Sequence, residues 1–250
     1  MDTSRLEILA GKEAIERLKK SAFLICGIGG VGGWAAEALA RCGVGHLTLV
    51  DFDCVNPSNA NRQIVALEST FGKPKVHVLA DRLKEINPQI DVDCKQIRIT
   101  PQNIPELLAS RSWNGVLDAI DERDAKLALL AECVRHNMFV VSSLGAANMT
   151  QPNRLEVTTL AKTAGNPLAR IIRKNLRRMG IEDGITCVSS SELPLLCDSE
   201  PETPGERRPM GAIVTVTATA GFLCADALMQ PLLRFSERPR RGETQCAPEH

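Results

Sequence analysis

Short apolar runs alternate with amphipathic stretches over the first 143 residues, and this pattern predicts strands that alternate with helices. An apolar run without polar alternation is typical of a strand buried on both faces of a parallel sheet. We predict five such strands, at Phe23–Cys26, Leu47–Val50, Ile90–Ile99, Val116–Asp121 and Met138–Val141. Their order indicates an α/β fold with a Rossmann-like, mostly parallel sheet and helices on both faces.

Beyond residue 143 the pattern changes, and it predicts a C-terminal extension of strands and helices. Arg154–Thr158 and Ile185–Ser189 are predicted strands, and Leu168–Met179 is a predicted helix. The apolar segment Ala212–Leu233 leaves strand and helix open; we favour a buried helix, broken by Pro231.

These elements divide the chain into an N-terminal helical arm (1–20), one α/β domain (21–235) and a disordered tail (236–250). The domain has a nucleotide half (21–143) and a substrate half (144–235). Within the substrate half, a proline-containing charged stretch predicts a mobile loop at 197–210.

The first predicted strand leads directly into a cluster of glycines, and a helix of alanine and leucine follows. Glycine has no Cβ, so the backbone can turn tightly and approach a phosphate, toward which the helix N-terminus directs its amides. The second strand ends in an acid, which can accept hydrogen bonds from ribose hydroxyls. Together these features predict a nucleotide site formed by Gly27, Gly29, Gly30, Gly32 and Asp51. The pattern leaves a dinucleotide oxidoreductase and an ATP-using adenylating enzyme both open.

Polar residues suited to phosphate follow Asp51. Asn59 and Arg62 lie in a loop at the predicted carboxyl edge of the sheet, and an arginine can bind phosphate oxygens with two parallel hydrogen bonds. Lys75 falls in the first turn of a predicted helix, where a cation opposes the helix dipole. Such a local conflict is typical of a functional residue, so we interpret Lys75 as an anion ligand.

Two helix starts flank the fourth predicted strand. Thr100 and Pro101 predict the beginning of a short helix before it. After it, Asp121 is either the N-cap of a helix over Glu122–His136 or a magnesium ligand beside the phosphates, and both roles can coexist.

Five basic residues share one face of the predicted helix Leu168–Met179, and no acid lies among them: Arg170, Arg173, Lys174, Arg177 and Arg178. Such a stripe is either a solvated face or a contact for an anionic partner such as an RNA backbone. The formal net charge of the chain is 0, so any nucleic-acid contact must come from a local patch of this kind.

The amino-acid composition limits which classes of function the protein can have. Aromatic residues make up 3% of the chain and Tyr is absent, which disfavours stacking platforms for single-stranded bases. The 9 cysteines are scattered without a C-x-x-C pair, which predicts reduced thiols in a cytoplasmic enzyme without zinc. Cys187 falls in a predicted strand and is interpreted as core rather than catalytic. We expect no signal peptide and no membrane span.

At this level of detail a family becomes recognisable. The stretches GIGGVGGWAAEALARCGVGHLTLVDFDCVNPSNANRQI, FGKPK and LDAIDE resemble the adenylating domain of ubiquitin-activating-like enzymes, which include bacterial activators of sulfur-carrier proteins. The stretch SSLGAANMTQPNRLEVTTLAKTAGNPLARIIRKNLRR resembles the branch of that family that dehydrates threonylcarbamoyladenosine in tRNA. The resemblance runs from about residue 5 to about residue 230.

The resemblance implies roles for individual residues. Asp51 would hold the ribose of ATP, Asn59 and Arg62 would bind its phosphates, and Lys75 would contact the phosphate under attack. Asp121 would bind Mg²⁺. Arg5, which by itself is an ordinary solvated arginine, matches a residue that reaches the phosphates of the neighbouring subunit, which implies a homodimer with each site completed in trans.

The reaction implied is ATP-dependent adenylation of the threonine carboxylate of the modified tRNA base, followed by cyclisation and release of AMP. Two alternatives stay open: adenylation of a ubiquitin-like sulfur-carrier protein, with a sulfur-transfer partner, and a non-catalytic nucleotide-binding module. The missing C-x-x-C pairs count against zinc and against the first alternative. Ser143 and Leu144 stand where many relatives have Gly-Gly, so the pocket wall is expected to differ. The resemblance also suggests a monovalent cation near the C-terminal helix.

Overall fold

The computed structural model describes residues 1–196 and 210–235. The tail predicted at 236–250, and all of the predicted loop 197–210 except Met210, lie outside the described residues.

Seven strands form one sheet: β1 (Ala22–Cys26), β2 (His46–Val50), β3 (Asp91–Lys95), β4 (Gly115–Asp118), β5 (Val140–Ser143), β6 (Leu155–Thr159) and β7 (Thr186–Ser190). Their order is β3-β2-β1-β4-β5-β7-β6, and every neighbouring pair is parallel except β6 and β7. In the middle, Cys26 is in register with Val50 on one side and Asp118 on the other. The carboxyl ends of these three strands therefore meet at one edge, and the predicted α/β fold is confirmed.

Eight helices surround the described sheet: α1 (Ser4–Ala10), α2 (Lys12–Lys19), α3 (Gly32–Arg41), α4 (Lys75–Ile86), α5 (Ile104–Ala109), α6 (Arg123–Arg135), α7 (Pro167–Arg178) and α8 (Val214–Leu233). The start predicted for α5 at Pro101 is wrong, because residues 100–103 form a turn before the helix. In that turn Asn103 Oδ1 accepts a hydrogen bond from the Thr100 amide at 2.9 Å, and the Ile104 amide donates to the Thr100 carbonyl at 3.2 Å. The strand predicted to reach Ile99 also ends earlier, at Lys95.

The helices form two layers, one on each face of the sheet. Phe23 and Ile25 of β1 belong to the core shared with α2, α3, α4 and α8. Leu24 and Cys26, which alternate with them, belong to the core shared with α5, α6 and α7. Because both faces of β1 are buried, its sequence is apolar throughout rather than alternating.

Helix α8 is the central helix of the first layer. It is the one described helix long and apolar enough to cross a membrane, yet 56% of its apolar window is buried inside the protein, where it packs on α3. Pro231 does not break α8, because it lies in the last turn and the helix continues to Leu233. A Cβ on Gly221 would lie 2.6 Å from the Val31 carbonyl oxygen, so this glycine lets α8 approach the backbone between β1 and α3.

A charged cluster joins α3 to α4 on the outside of that layer. The Glu37 side chain is 8% exposed, and its carboxylate accepts hydrogen bonds from Arg41 at 2.8 Å and from Arg82. Burial alone raises the pKa of Glu37, but the hydrogen bonds from Arg82 and Arg41 outweigh it, so the pKa lies below its usual value.

Glu37→Gln should lower the free energy of unfolding at pH 7 by about 1 kcal/mol, because the charge-assisted hydrogen bonds from two arginines are weakened. A carboxyl with a lowered folded pKa stabilises above its unfolded pKa of about 4.3, and the contribution disappears as the pH falls through the folded value. Urea unfolding of both proteins should therefore show a difference at pH 7 that closes at acid pH.

Glu13→Gln is the matched control, since the Glu13 side chain is 95% exposed. A stability difference for Glu37→Gln that persisted unchanged at acid pH would show that packing, and not the charge, accounts for it.

Candidate active site

A cavity of about 760 Å³ opens at the carboxyl edge of the sheet, between the loops that follow β1, β2, β4 and β5. It lies within the size range of small-molecule sites. The predicted site residues that line it are Gly27, Gly29, Gly30, Asp51, Asn59, Arg62, Lys75 and Asp121. Residues from three separate loops of the sequence thus face one space because the strands that carry them are parallel neighbours.

Asp51 fixes the backbone around the glycine turn. Its Oδ2 accepts a hydrogen bond from the Ile28 amide at 2.6 Å, and its Oδ1 accepts one from the Asp53 amide at 2.9 Å. A carboxylate has about four lone-pair positions, so acceptor capacity remains for a ligand hydroxyl. Its position at the end of β2 is the one predicted for a ribose contact.

The glycines of the turn serve two different purposes. A Cβ on Gly32 would lie 1.9 Å from the Gly27 carbonyl oxygen, so Gly32 allows α3 to pack on the turn. Gly32 does not line the cavity; the structure gives it a packing role, and its part in nucleotide binding stays a prediction. Gly29 is different: a Cβ there would meet only Gln63 Nε2, at 4.0 Å, and would otherwise point into open space.

Asn59 and Arg62 are held by a capped turn on the far side of the cavity. Asn59 Oδ1 accepts a hydrogen bond from the Asn56 amide at 3.1 Å, which closes a single 3₁₀ turn over Pro57–Asn59. The Arg62 amide donates to the Asn59 carbonyl at 3.0 Å, and its guanidinium donates to the Ser58 carbonyl at 2.9 Å. The turn and the residues after it therefore bring an amide side chain and a guanidinium to the cavity lining.

Lys75 is the first residue of α4, and its side chain is 6% exposed. Its Nζ lies 2.8 Å from Asp53 Oδ2, and its amide donates to the Asp53 carbonyl at 3.0 Å. The Asp53 carboxylate offsets the unfavourable placement of a cation at a helix N-terminus. Sequence reasoning identified Lys75 by this conflict but missed its partner, 22 residues earlier in the chain.

Asp121 lies in the loop between β4 and α6, exposed on the cavity wall. It is not the N-cap of α6, a position that Glu122 occupies without a side-chain capping bond. Among the described residues no group of three His, Cys, Asp or Glu side chains could hold a metal ion. A single carboxylate nevertheless suits Mg²⁺, which is commonly bound by one or two carboxylates together with water and substrate phosphates.

Arg5 is the one predicted catalytic residue that lies away from the cavity. A Cβ on Gly43, just beyond α3, would lie 3.3 Å from Thr3 Cγ2, so the start of α1 touches the far end of α3. Since α3 has 10 residues, this point is about 15 Å from the glycine turn. In its own chain, Arg5 therefore does not reach the cavity.

Helix α7 begins at the cavity and carries the basic stripe away from it. Pro167 and Leu168 line the cavity, and Asn166 caps the helix by accepting a hydrogen bond from the Ala169 amide at 3.1 Å. Arg173 is half-buried, and its guanidinium donates to the carbonyl and hydroxyl oxygens of Thr163 at 2.8 and 2.6 Å. The other four members of the stripe are exposed: Arg170, Lys174, Arg177 and Arg178. The stripe thus contains one structural arginine and four solvent-facing cations.

Two features of the cavity wall were not predicted. Gln63 is 8% exposed, and its Oε1 has no hydrogen-bond partner among the described residues. At the rim, the Arg98 guanidinium lies 3.8 Å from the centroid of the Phe52 ring and donates to Glu122 Oε2 at 3.1 Å. Gln63 could have been predicted to line the cavity, because it directly follows the predicted Arg62. The contacts of Arg98 with Phe52 and Glu122 join three distant segments, and no local pattern in the sequence indicates them.

The buried thiols are poor candidates for nucleophiles. Burial raises the pKa of both Cys133 and Cys187 to about 12, and it also raises those of Cys26 and Cys224. Since the thiolate is the reactive form, these cysteines are unreactive at neutral pH. The interpretation of Cys187 as a core residue is confirmed by its complete burial.

The ThiF family model matches residues 3–247. The chain belongs to the ThiF family. A relative from Bacillus subtilis, named tRNA threonylcarbamoyladenosine dehydratase, is 35% identical over 95% of this chain and 96% of its own length. Crystal structures of the E. coli tRNA N6-threonylcarbamoyladenosine dehydratase with ATP and with AMP superpose with TM-scores of 0.85 and 0.84. Those two structures are 36% and 35% identical to this chain, and each match covers 94% of this chain and 95% of the other.

The glycine turn of this ThiF-family chain can be tested by two alanine substitutions. Gly29→Ala should fold with wild-type stability, because its Cβ meets no backbone, but should weaken ATP binding about tenfold or more by occupying space on the cavity wall. Thermal unfolding and titration calorimetry with ATP measure the two effects separately.

Gly32→Ala provides the contrast. Its Cβ would overlap the Gly27 carbonyl, so this variant should lose stability by several kcal/mol. If Gly29→Ala bound ATP as tightly as the wild type, the glycine turn would not be the site that binds the phosphates.

Proposed function

We propose that this protein is an ATP-dependent tRNA threonylcarbamoyladenosine dehydratase. The observation that carries the proposal is the cavity, where Asp51, Arg62, Lys75 and Asp121 face one space beside an open glycine turn. This set suits a triphosphate, with one carboxylate for the ribose, cations for the phosphates and a second carboxylate for a metal. The named relatives, similar over nearly the whole chain, support the choice of substrate.

In the proposed reaction the threonine carboxylate of the modified base attacks the α-phosphorus of ATP. The bond to the pyrophosphate leaving group breaks, and an acyl-adenylate forms. The carbamoyl group of the same side chain then attacks the activated acyl carbon, which closes a ring and releases AMP. Both steps use nucleophiles that the substrate supplies, so the protein contributes position and charge rather than a covalent intermediate.

Three side chains carry the electrostatic part of this mechanism. Asn59 and Arg62 bind phosphate oxygens from one wall, and Lys75 approaches from α4 to stabilise charge that develops on the phosphate under attack. Asp121 would hold Mg²⁺, which supplies additional neutralisation of phosphate charge when bound. Each contact of this kind is worth roughly 10²–10³ in rate.

The active form would be a homodimer. Arg5 lies on an exposed helix whose outer face also carries Ile8, 78% exposed, and such an apolar residue beside a cation suits an interface with a second copy. Because Arg5 does not reach the cavity of its own chain, a contribution to catalysis requires the partner's cavity. Each site would then be completed in trans.

The tRNA would lie along α7. This helix begins at the cavity and extends about 18 Å over its 12 residues, with its four exposed cations pointing outward. No ion pair among the described residues involves these four, so their charges are available to phosphates. The proposed action on tRNA is consistent with the predicted cytoplasmic enzyme. A monovalent cation near α8 stays a prediction of the family resemblance.

The test of the function is AMP formation from ATP with tRNA that carries threonylcarbamoyladenosine. We expect AMP and pyrophosphate in equal amounts and loss of one water from the modified nucleoside, detected by mass spectrometry. Lys75→Ala should reduce the rate at least 10²-fold, because a cation is removed from the reacting phosphate. Arg5→Ala should do the same, and mixing the two variants should restore part of the activity through heterodimers.

Unmodified tRNA is the control substrate, and a ubiquitin-like sulfur-carrier protein is the competing one. AMP formation with the carrier and none with modified tRNA would contradict the proposal. If the protein bound ATP but formed AMP with neither substrate, the alternative of a non-catalytic nucleotide-binding module would be supported.

The tRNA surface has its own test. Arg170→Glu combined with Arg177→Glu should weaken tRNA binding and reduce the slope of log affinity against log salt by about 2, since two phosphate contacts are lost. Filter binding at several salt concentrations measures this slope.

The matched control is the double variant Lys20→Glu with Lys84→Glu, which reverses the charge of two exposed lysines associated with the other face of the sheet. A salt slope that changed equally in both double variants would indicate a nonspecific charge effect and would exclude α7 as the tRNA surface.

A further inference from the structure

A fully buried ion pair lies directly beneath the cavity. Lys126 of α6 is 1% exposed and Asp118 at the end of β4 is 0% exposed, and Lys126 Nζ lies 2.7 Å from Asp118 Oδ2. The Ser142 hydroxyl donates to the same Asp118 oxygen at 2.6 Å. Neither charged group lines the cavity, so neither contacts a ligand there.

Each partner also holds one of the loops that form the cavity wall. Asp118 Oδ1 accepts a hydrogen bond from the Ile120 amide at 3.2 Å, in the loop that carries Asp121. Lys126 Nζ donates to the carbonyl of Ser143, the last residue of β5, at 3.0 Å, directly before the loop over residues 144–149. One ammonium and one carboxylate therefore connect the metal side of the cavity to its substrate side.

A buried ion pair is weak evidence for stability, because desolvating two charges costs several kcal/mol and apolar replacements are often neutral or stabilising. Its hydrogen bonds to both sides of the cavity point to a geometric role instead. Two loops without regular structure must keep a fixed separation, and the pair supplies directional hydrogen bonds to both.

We propose that Lys126 and Asp118 are positioning residues that hold the Asp121 loop and the start of the 144–149 loop in register for the adenylation step. This inference rests on the proposed function, in which one loop carries the metal ligand and the other faces the substrate. A misplacement of about 1 Å in such a site can cost about 10²-fold in rate. Nucleotide binding, which depends on Asp51 and the glycine turn, should be little affected.

The test is the double variant Lys126→Met with Asp118→Asn, which removes both charges together and leaves no unpaired charge in the interior. We expect cooperative unfolding, a KM for ATP within about twofold of the wild type, and a kcat for AMP formation at least tenfold lower. Hydrogen–deuterium exchange should increase in residues 119–122 and 144–149 together.

Glu37→Gln is the control, because it weakens another ion pair on the opposite face of the sheet and should leave kcat and both loops unchanged. A double variant with wild-type kcat per folded molecule, or with loosened loops and unchanged kcat, would overturn the proposal.

If the double variant does not fold, Ser142→Ala is the second test, because it removes only one hydrogen bond to Asp118. This variant should still lower kcat without raising KM, and an unchanged kcat would overturn the proposal.

The exchange measurement separates the two proposals. A wild-type protein that makes no AMP from modified tRNA would refute the proposed function, while exchange in the two loops would still show whether the pair holds them. Exchange that stayed at the wild-type rate in both loops would refute the positioning role in an active enzyme.

Discussion

The carboxylate of Asp51 is the interaction on which the site depends. It follows β2, and its two oxygens accept hydrogen bonds from the amide of Ile28 in the glycine turn and from the amide of Asp53 two residues later. The bond to Ile28 depends on β1 and β2 being parallel and in register, since a slip of one residue would move that amide by about 3.3 Å relative to Asp51. The carboxylate therefore fixes the glycine turn relative to the loop that leads to Lys75, at the position predicted for the ribose contact.

The parts of the fold that could be predicted from sequence are those whose signal is local. The apolar run of β1, the glycines after it and the helix formers of α3 are contiguous, and each agrees with the same structure. Lys75 was found because a cation in a first turn contradicts local preference. For Gly32, the sequence shows that a glycine is needed but not whether a ligand or a carbonyl oxygen requires it, and in the structure the Gly27 carbonyl oxygen does.

The parts that could not be predicted depend on contacts between distant segments. Asp53 and Lys75, Asp118 and Lys126, and Arg98 with Phe52 meet only after the sheet has formed. The start of α5 was misplaced for a related reason. Thr100 and Pro101 have the residue types of a helix start, but the side chain of Asn103 stabilises a turn there instead.

The two buried lysines differ in a way that fits their proposed roles. Lys126 pairs with a carboxylate that is 0% exposed, so neither water nor a ligand can compete for it, and the pair is suited to hold loops in place. Lys75 pairs with Asp53, whose side chain is 45% exposed and therefore solvated. A phosphate that enters the cavity can take over Lys75 while Asp53 remains hydrated, so breaking this pair leaves no buried charge without a partner. Of the two ammonium groups, only Lys75 can therefore exchange its partner during a reaction cycle.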